Sequence, residues 1–305
     1  MRTYDQIPCL EQNTSVALGL FDGLHRGHQQ VIGKAVSHAG NLVPVVFSFD
    51  YDNPDGMSKP DFRTLLSPSL KIQQLEALQV EIFIHPPFSS IKDISAPDFL
   101  ENILLKSLNA KAIFCGYDYR FGRNAEGDTN MLRSFCEAHG IHCEIVPALT
   151  EGGSPISSTR IRQCIQEGEM ECAEKMLGHP YMIDFAVCSG KKLGRRLGFP
   201  TINQPFPEGN ILPRFGVYAA LTEIDGKLYM GVTNIGVKPT VGEGNRPTAE
   251  TYIIGYEGDL YGKRIPLSLI HFIRPEQKFS SVEELKDRIA RDTEEVTRIL
   301  KNNRL

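Results

Sequence analysis

Residues 15–36 read SVALGLFDGLHRGHQQVIGKAV, and the change of grammar inside that stretch decides the first half of the fold. The apolar run ending at Phe21 has the character of a buried strand. Glycines at 19, 23 and 27 then break the chain, and HQQVIGKAVSHA continues with helical period. A helix opening there presents free backbone N–H groups and a positive dipole end, which together hold a phosphate, while Gly19 and Gly27 let a nucleotide approach the backbone. His25 and His28, in H-x-G-H spacing, are placed to donate hydrogen bonds to an α-phosphate as charge grows on it. The plainer alternative is a tight turn carrying two solvated histidines.

Outward from this turn, β-branched runs alternate with helical segments through about residue 150: NLVPVVFSF, SPSLKIQQLEAL, VEIFI, APDFLENILLKSL, KAIFCG, NMLRSFCEAHG and IHCEIVPAL. That alternation predicts a parallel sheet with helices on both faces, whose ligands gather beyond the strands' carboxyl ends, at the loops after Phe21, Phe49 and Gly116. STRIRQCIQEGEMECAEKMLGHPY reads as two short helices, and the boundary falls between Gly178 and Ile183. From Asp184 the helical period disappears. DFAVC, GVYAALTEI, KLYMGVTNI, ETYIIGY and KRIPLSLIHFI, with turns at Asp225-Gly226 and Gly258-Asp259, predict an antiparallel barrel or sandwich. A last helix follows a capping box made by Ser280, Ser281, Glu283 and Glu284.

Three further stretches carry chemistry. ISSTRIR, residues 156–162, sets hydroxyls and two arginines where a helix begins; it is either an N-cap with surface arginines or a second phosphate clamp. GKKLGRRLGFPTIN, from Gly190 through Lys192 to Asn203, is a cationic, glycine-rich loop leading to Thr201 and Asn203, which point the same way on an extended segment. Those two could hold a phosphate-bound magnesium; the plainer reading of the basic run is a solvated face. Glu250, the one acid in the strand PTAETYIIGY, is either a paired residue at the core edge or a general base. Cys136, His139, His142 and Cys143 match no standard zinc spacing, and no zinc is expected.

Length and composition narrow the classes. The 305 residues suggest two domains, and 41% hydrophobic with 23% charged residues is globular composition. A net charge of −4 removes the simple electrostatic case for coating nucleic acid or an acidic membrane. The N-terminal residues lack the layout of a secretory signal, no apolar stretch is long enough to span a bilayer, and seven scattered cysteines suit reduced thiols, so a cytoplasmic protein is expected.

GLFDGLHRGH, GYDYRFG (residues 116–122) and ISSTRIR resemble the adenylyltransferase half of the bacterial bifunctional riboflavin kinase/FAD synthetases. GFPTIN, GVYAA, GVTNIGVKPT, AETY, DLYGKRI and FIRPEQKF resemble their kinase half, in family order. The resemblance implies an α/β fold: a Rossmann-like nucleotidylyltransferase domain over 1–182, then a small antiparallel Greek-key β-barrel domain with a C-terminal helix over 183–305. It implies ATP-dependent phosphorylation of riboflavin to FMN, then adenylylation of FMN to FAD. The substrates would be riboflavin, FMN and ATP with Mg2+, and neither nucleic acid nor membrane is expected as a partner. By motif, His25 and His28 would stabilise the α-phosphate, and Ser158, Thr159 and Arg162 the departing pyrophosphate. Phe21, Asp22, Gly116 and Asp118 would lie near the nucleotide. Thr201 and Asn203 would hold ATP and magnesium, Glu250 would activate the riboflavin hydroxyl, and Arg274 belongs to the flavin-proximal loop.

The chain departs from the family pattern in four places. FDYDNP stands where F-x-P-H-P is typical, Ile202 enlarges P-T-A-N to P-T-I-N, Phe185 replaces a usual glycine, and Val241 a usual phenylalanine. Three rival readings follow: an enzyme with one working domain, a nucleotidylyltransferase for another phosphorylated acceptor, and a flavin-binding regulator without activity.

Overall fold

The computed structural model describes residues 1–50, 62–190, 194, 197–237 and 246–303. Asp52 and Asn53 of the FDYDNP turn, Lys192 and Val241 lie outside the described residues. Compactness divides the chain into one unit of Met1–Phe62 with Pro68–Ser157, and a second of Arg63–Ser67 with Ser158–Leu305.

In the first unit, β1 (Arg2–Tyr4), β2 (Thr14–Leu18), β3 (Val43–Phe47), β4 (Ile82–Ile84), β5 (Ala110–Gly116) and β6 (His142–Val146) form one parallel sheet. Their order is β1-β4-β3-β2-β5-β6. The intervening helices are α1 (Arg26–His38), α2 (Pro68–Ala77), α3 (Phe88–Ile91), α4 (Ala96–Asp98, continuing as a π-helical stretch Phe99–Ser107) and α5 (Thr129–His139). All five residues of β2 are buried because helices cover both faces of the sheet, and the hydroxyls of Thr14 and Ser15 donate to the carbonyls of Leu108 and Ala35. From β2 the chain steps outward to β3 and β4, then returns to add β5 and β6 on the other side. The reversal creates a crevice at the carboxyl ends of β2 and β5, where ligands of such sheets collect. The edge strand β1 was not expected: three residues without a buried side chain carry no apolar run. A small hairpin, β7 (Thr150–Glu151) with β8 (Ser154–Pro155), turns through Gly152 and Gly153.

In the second unit, α6 (Ser158–Glu167) and α7 (Met170–Leu177) precede β9 (Tyr181–Ile183), β10 (Thr201–Pro205), β11 (Gly216–Ile224), β12 (Lys227–Val237), β13 (Pro247–Ile253) and β14 (Leu267–Pro275). The strands form an antiparallel sheet in the order β10-β13-β12-β11-β14-β9. Strands β11, β12 and β13 follow one another and β14 returns beside β11, which is the Greek-key order. The segment DFAVC is not the strand expected. It makes single bridges, Ala186 to Arg264 and Cys188 to Asn203, and these join the two sheet edges into a barrel. Buried Gln204 stitches this seam, its side-chain amide donating to the carbonyls of Phe185 and Ile265. Asp225 and Gly226, both with positive φ, make the β11–β12 turn.

The final helix, α8 (Val282–Asn303), starts with a variant of the expected capping box, in which the returning carboxylate reaches the residue before the cap. Ser281 Oγ accepts from the Glu284 N–H, and the Glu284 carboxylate accepts from the Ser280 N–H. Its Val296 and Leu300 pack on Val217, Ala219, Val232 and Ile270 of the barrel wall.

Candidate active sites

The first site lies where β2 ends and α1 begins. Phe21, Gly23 and Leu24 all take positive φ, so the turn is held in a conformation that two of its residues disfavour, as functional loops often are. His25 is the N-cap of α1. Its Nδ1 accepts from the His28 N–H at 3.2 Å, which fixes the proton on Nε2 and leaves that N–H as a donor. The two imidazoles stack with centroids 3.5 Å apart, and Gly27 makes this possible, since a Cβ there would lie 3.2 Å from the His25 ring. Burial lowers the His25 pKa to about 4. Burial first, then His25 and Lys71, hold His28 well below the ordinary imidazole value. Both rings are therefore neutral near pH 7, and the buried Nδ1 of His28 finds no hydrogen-bond partner among the described residues.

Asp22 is buried in the same turn, and a Cβ on Gly19 would strike the Phe21 ring at 2.9 Å. At the neighbouring strand end, Asp118 Oδ1 comes close enough to Gly116 to crowd a Cβ there at 3.2 Å. The structure thus brings Gly19, Phe21, Asp22, His25, Gly27, His28, Gly116 and Asp118 to the carboxyl-end edge of the parallel sheet, beyond β2 and β5. Sequence reading missed Lys71 on α2. Its ammonium donates to the Leu20 carbonyl at 3.0 Å and to Ser48 Oγ at 3.2 Å, tying the ends of β2 and β3 together. Burial lowers its pKa, opposed by Asp50 and Asp22. Asp50, from the divergent FDYDNP turn, pairs with His85 Nδ1 at 2.6 Å, so an imidazole stands at this edge although the turn itself carries none.

Ser158, Thr159 and Arg162 occupy the opening turns of α6 in the second unit, where Arg162 Nε donates to the Arg63 carbonyl at 2.7 Å. Among the cysteines and histidines weighed for zinc, Cys136 is fully buried, His139 Nδ1 meets the Phe135 carbonyl, and His142 stacks on His38.

The second site is a cavity of about 330 Å³ on the barrel, lined by Thr201, Asn203, Asn234, Glu250 and Arg274 among others. Thr201 and Asn203 share a face of β10, and Glu250 on β13 stands in register between Asn203 and Asn234. A Cβ on Gly190 would come within 2.6 Å of the Asn203 carboxamide, so glycine there keeps room for that side chain. The hydroxyl of Thr201 and the carboxamide oxygen of Asn203 are hard oxygen donors, a set that fits magnesium. Arg274 is held from α8: its guanidinium donates to both Asp292 oxygens, and Arg288 Nε donates to the same carboxylate at 2.9 Å. Asp292 is 1% exposed. Its sequence signal was an acid on the buried stripe that Ile289, Val296 and Leu300 otherwise define.

Comparison with known proteins agrees with this division. A riboflavin kinase family model matches residues 177–300 and an FAD synthetase model residues 8–160. Over 303 residues the chain is 35% identical to the bifunctional riboflavin kinase/FMN adenylyltransferase of Bacillus subtilis, covering 96% of this chain and 95% of that protein. The Escherichia coli K12 protein of the same description is 34% identical, covering 92% of this chain and 91% of its own. A solved Streptococcus pneumoniae structure, described as a macrolide-efflux protein, superposes with a TM-score of 0.85 at 30% identity, covering 98% of this chain and 99% of that one. Among the described residues no helix is long and apolar enough to cross a membrane. Fold, sites and matches define an enzyme of the nucleotide-using transferase class, with a kinase half and a nucleotidyltransferase half. The chain belongs to the bifunctional riboflavin kinase/FMN adenylyltransferase family.

Proposed function

We propose that the two sites act in succession on one flavin, residues 183–305 converting riboflavin to FMN and residues 1–182 converting FMN to FAD. The observation that carries this reading is the presence, on one chain, of a neutral histidine pair at a helix N-terminus and of Glu250 beside Thr201 and Asn203 in a separate cavity.

In the kinase reaction the 5′-hydroxyl oxygen of riboflavin attacks the γ-phosphorus of ATP, the bond to the β–γ bridging oxygen breaks, and ADP leaves. Glu250 takes the hydroxyl proton, and Arg274, fixed by Asp292, borders the flavin. Thr201 and Asn203 would hold Mg2+, which when bound neutralises charge on the ATP phosphates. Gly190 and Lys192, from the glycine-rich cationic stretch of the sequence, would bind those phosphates.

In the adenylyl transfer an oxygen of the FMN phosphate attacks the α-phosphorus of a second ATP and pyrophosphate leaves. Nε2–H of His25 and the imidazole of His28 donate to the α-phosphate oxygens, where neutral rings already desolvated need little reorganisation. Ser158, Thr159 and Arg162 take the pyrophosphate, and Gly116 and Asp118 border the nucleotide. Neither reaction needs a covalent enzyme intermediate; positioning and charge stabilisation supply the rate.

A flavin-binding regulator would have no use for both a histidine pair and a carboxylate base, which favours the enzyme. The test is a time course of purified protein with riboflavin, ATP and magnesium, resolving FMN from FAD. FMN should rise first and FAD follow. FMN without FAD, or FAD only from supplied FMN, would leave one working site and overturn the proposal.

A further inference from the structure

The hairpin of α6 and α7 holds two thiols that neither reaction uses. Cys164 Sγ and Cys172 Sγ lie 3.0 Å apart, and the Glu169 carboxylate is within 4.8 Å of both. Cys164 is 8% exposed, whereas Cys172 is half-buried and reachable from solvent. Burial first, then the contact with Cys172, pushes the Cys164 thiol up to about 12. Cys164 therefore keeps its proton and donates it in a hydrogen bond to Cys172, whose sulfur is the one an oxidant meets.

The spacing separates two chemistries. Thiolates sharing one tetrahedral zinc at a Zn–S distance of about 2.3 Å stand about 3.8 Å apart, wider than this pair. A disulfide of about 2.05 Å needs a further approach of about 1 Å from the present Sγ–Sγ separation.

We propose that Cys164 and Cys172 form a reversible oxidation site, a dithiol that a hydroperoxide converts to a disulfide within the α6–α7 hairpin. The Cys172 thiolate attacks one peroxide oxygen, the O–O bond breaks, and the departing hydroxide takes a proton to become water, leaving a sulfenic acid on Cys172. The Cys164 sulfur then attacks the Cys172 sulfur. The S–O bond breaks, and the hydroxyl leaves with the Cys164 proton as a second water. The two thiols lose two electrons, and the peroxide gains them.

Residues 163–175, QCIQEGEMECAEK, contain both cysteines between consecutive tryptic sites, so the reaction can be read on one peptide. Reduced full-length protein is exposed to hydrogen peroxide below one equivalent, alkylated, digested and analysed by mass spectrometry. The peptide should lose two hydrogens, escape alkylation at both cysteines, and regain two alkylatable thiols after dithiothreitol. In Cys172→Ser, Cys164 should remain fully alkylatable at the same exposure. The proposal is overturned if both thiols stay alkylatable while peroxide is consumed elsewhere, if a Cys136–Cys143 link forms first, or if oxidation releases a bound zinc ion.

Discussion

His25 uses one imidazole for two purposes. Its Nδ1 caps α1 and its Nε2 carries the ring proton, and the capping role requires the neutral ring, because only an unprotonated Nδ1 can accept. The burial that lowers its pKa to about 4 makes this a pH-dependent element of stability. Between about pH 6.5 and pH 4 the unfolded chain binds a proton at this residue that the folded chain does not, so stability falls as pH falls through that window. At about 1.4 kcal/mol per pH unit, the His25 contribution is of order 3 kcal/mol. Asparagine caps helices without titrating, so His25→Asn should flatten the slope of unfolding free energy against pH from 6.5 to 4, measured by urea denaturation; an unchanged slope would contradict a buried neutral His25. Lys71 makes the complementary case. Lys71→Met removes the donor that joins Leu20 to Ser48 beneath the turn, and should lower kcat/KM for FAD formation by about 10-fold to 100-fold while FMN formation is unchanged. An unchanged kcat/KM for FAD formation in Lys71→Met would mean that this tie does not support the turn that carries the histidines. The histidines were legible because strand, glycine turn and helix lie within one short stretch of sequence. Lys71 was not, since a lysine on a helix without a marked apolar stripe reads as solvent-facing until its ammonium is seen donating to two strand ends.

Elements were legible where their own residues determine them. The β2–α1 unit, the alternation of the first half, and the α8 capping box follow from local period and capping chemistry. What the sequence hid depends on partners distant in the chain. β1 and β9 are three-residue strands defined only by their neighbours, and DFAVC, though apolar enough for a strand, serves as a bridged seam between sheet edges. Asp292 shows the same dependence at the barrel cavity, because an acid on the buried face of α8 gains its meaning from Arg274 on β14 and Arg288 one turn earlier. Asp292→Ala leaves those guanidiniums without their shared carboxylate, and should destabilise the protein by about 3 kcal/mol. It should also weaken riboflavin phosphorylation more than adenylyl transfer. Thermal unfolding alongside both half-reactions checks this: a stable variant with intact kinase activity would mean that α8 does not hold Arg274 in its working position.

On the scale of the whole molecule, two folds carry the two proposed sites. A parallel sheet offers a helix N-terminus at its switch point, and a barrel offers a cavity whose strands project an acid, a hydroxyl and a carboxamide. The proposed function makes the two sites chemically independent. Steady-state kinetics of each half-reaction, riboflavin to FMN and supplied FMN to FAD, on His28→Ala and Glu250→Gln test it most directly. His28→Ala should lower FAD formation by about 100-fold to 1,000-fold and spare FMN formation, since it removes a transition-state donor from one site alone. Glu250→Gln should do the reverse, lowering kcat for FMN formation by about 100-fold with a smaller effect on riboflavin affinity, while supplied FMN is still adenylylated because its phosphate needs no base. Loss of both activities together in either variant would contradict the two-site account, and an unchanged kinase kcat in Glu250→Gln would return that carboxylate to a structural role at the edge of the barrel.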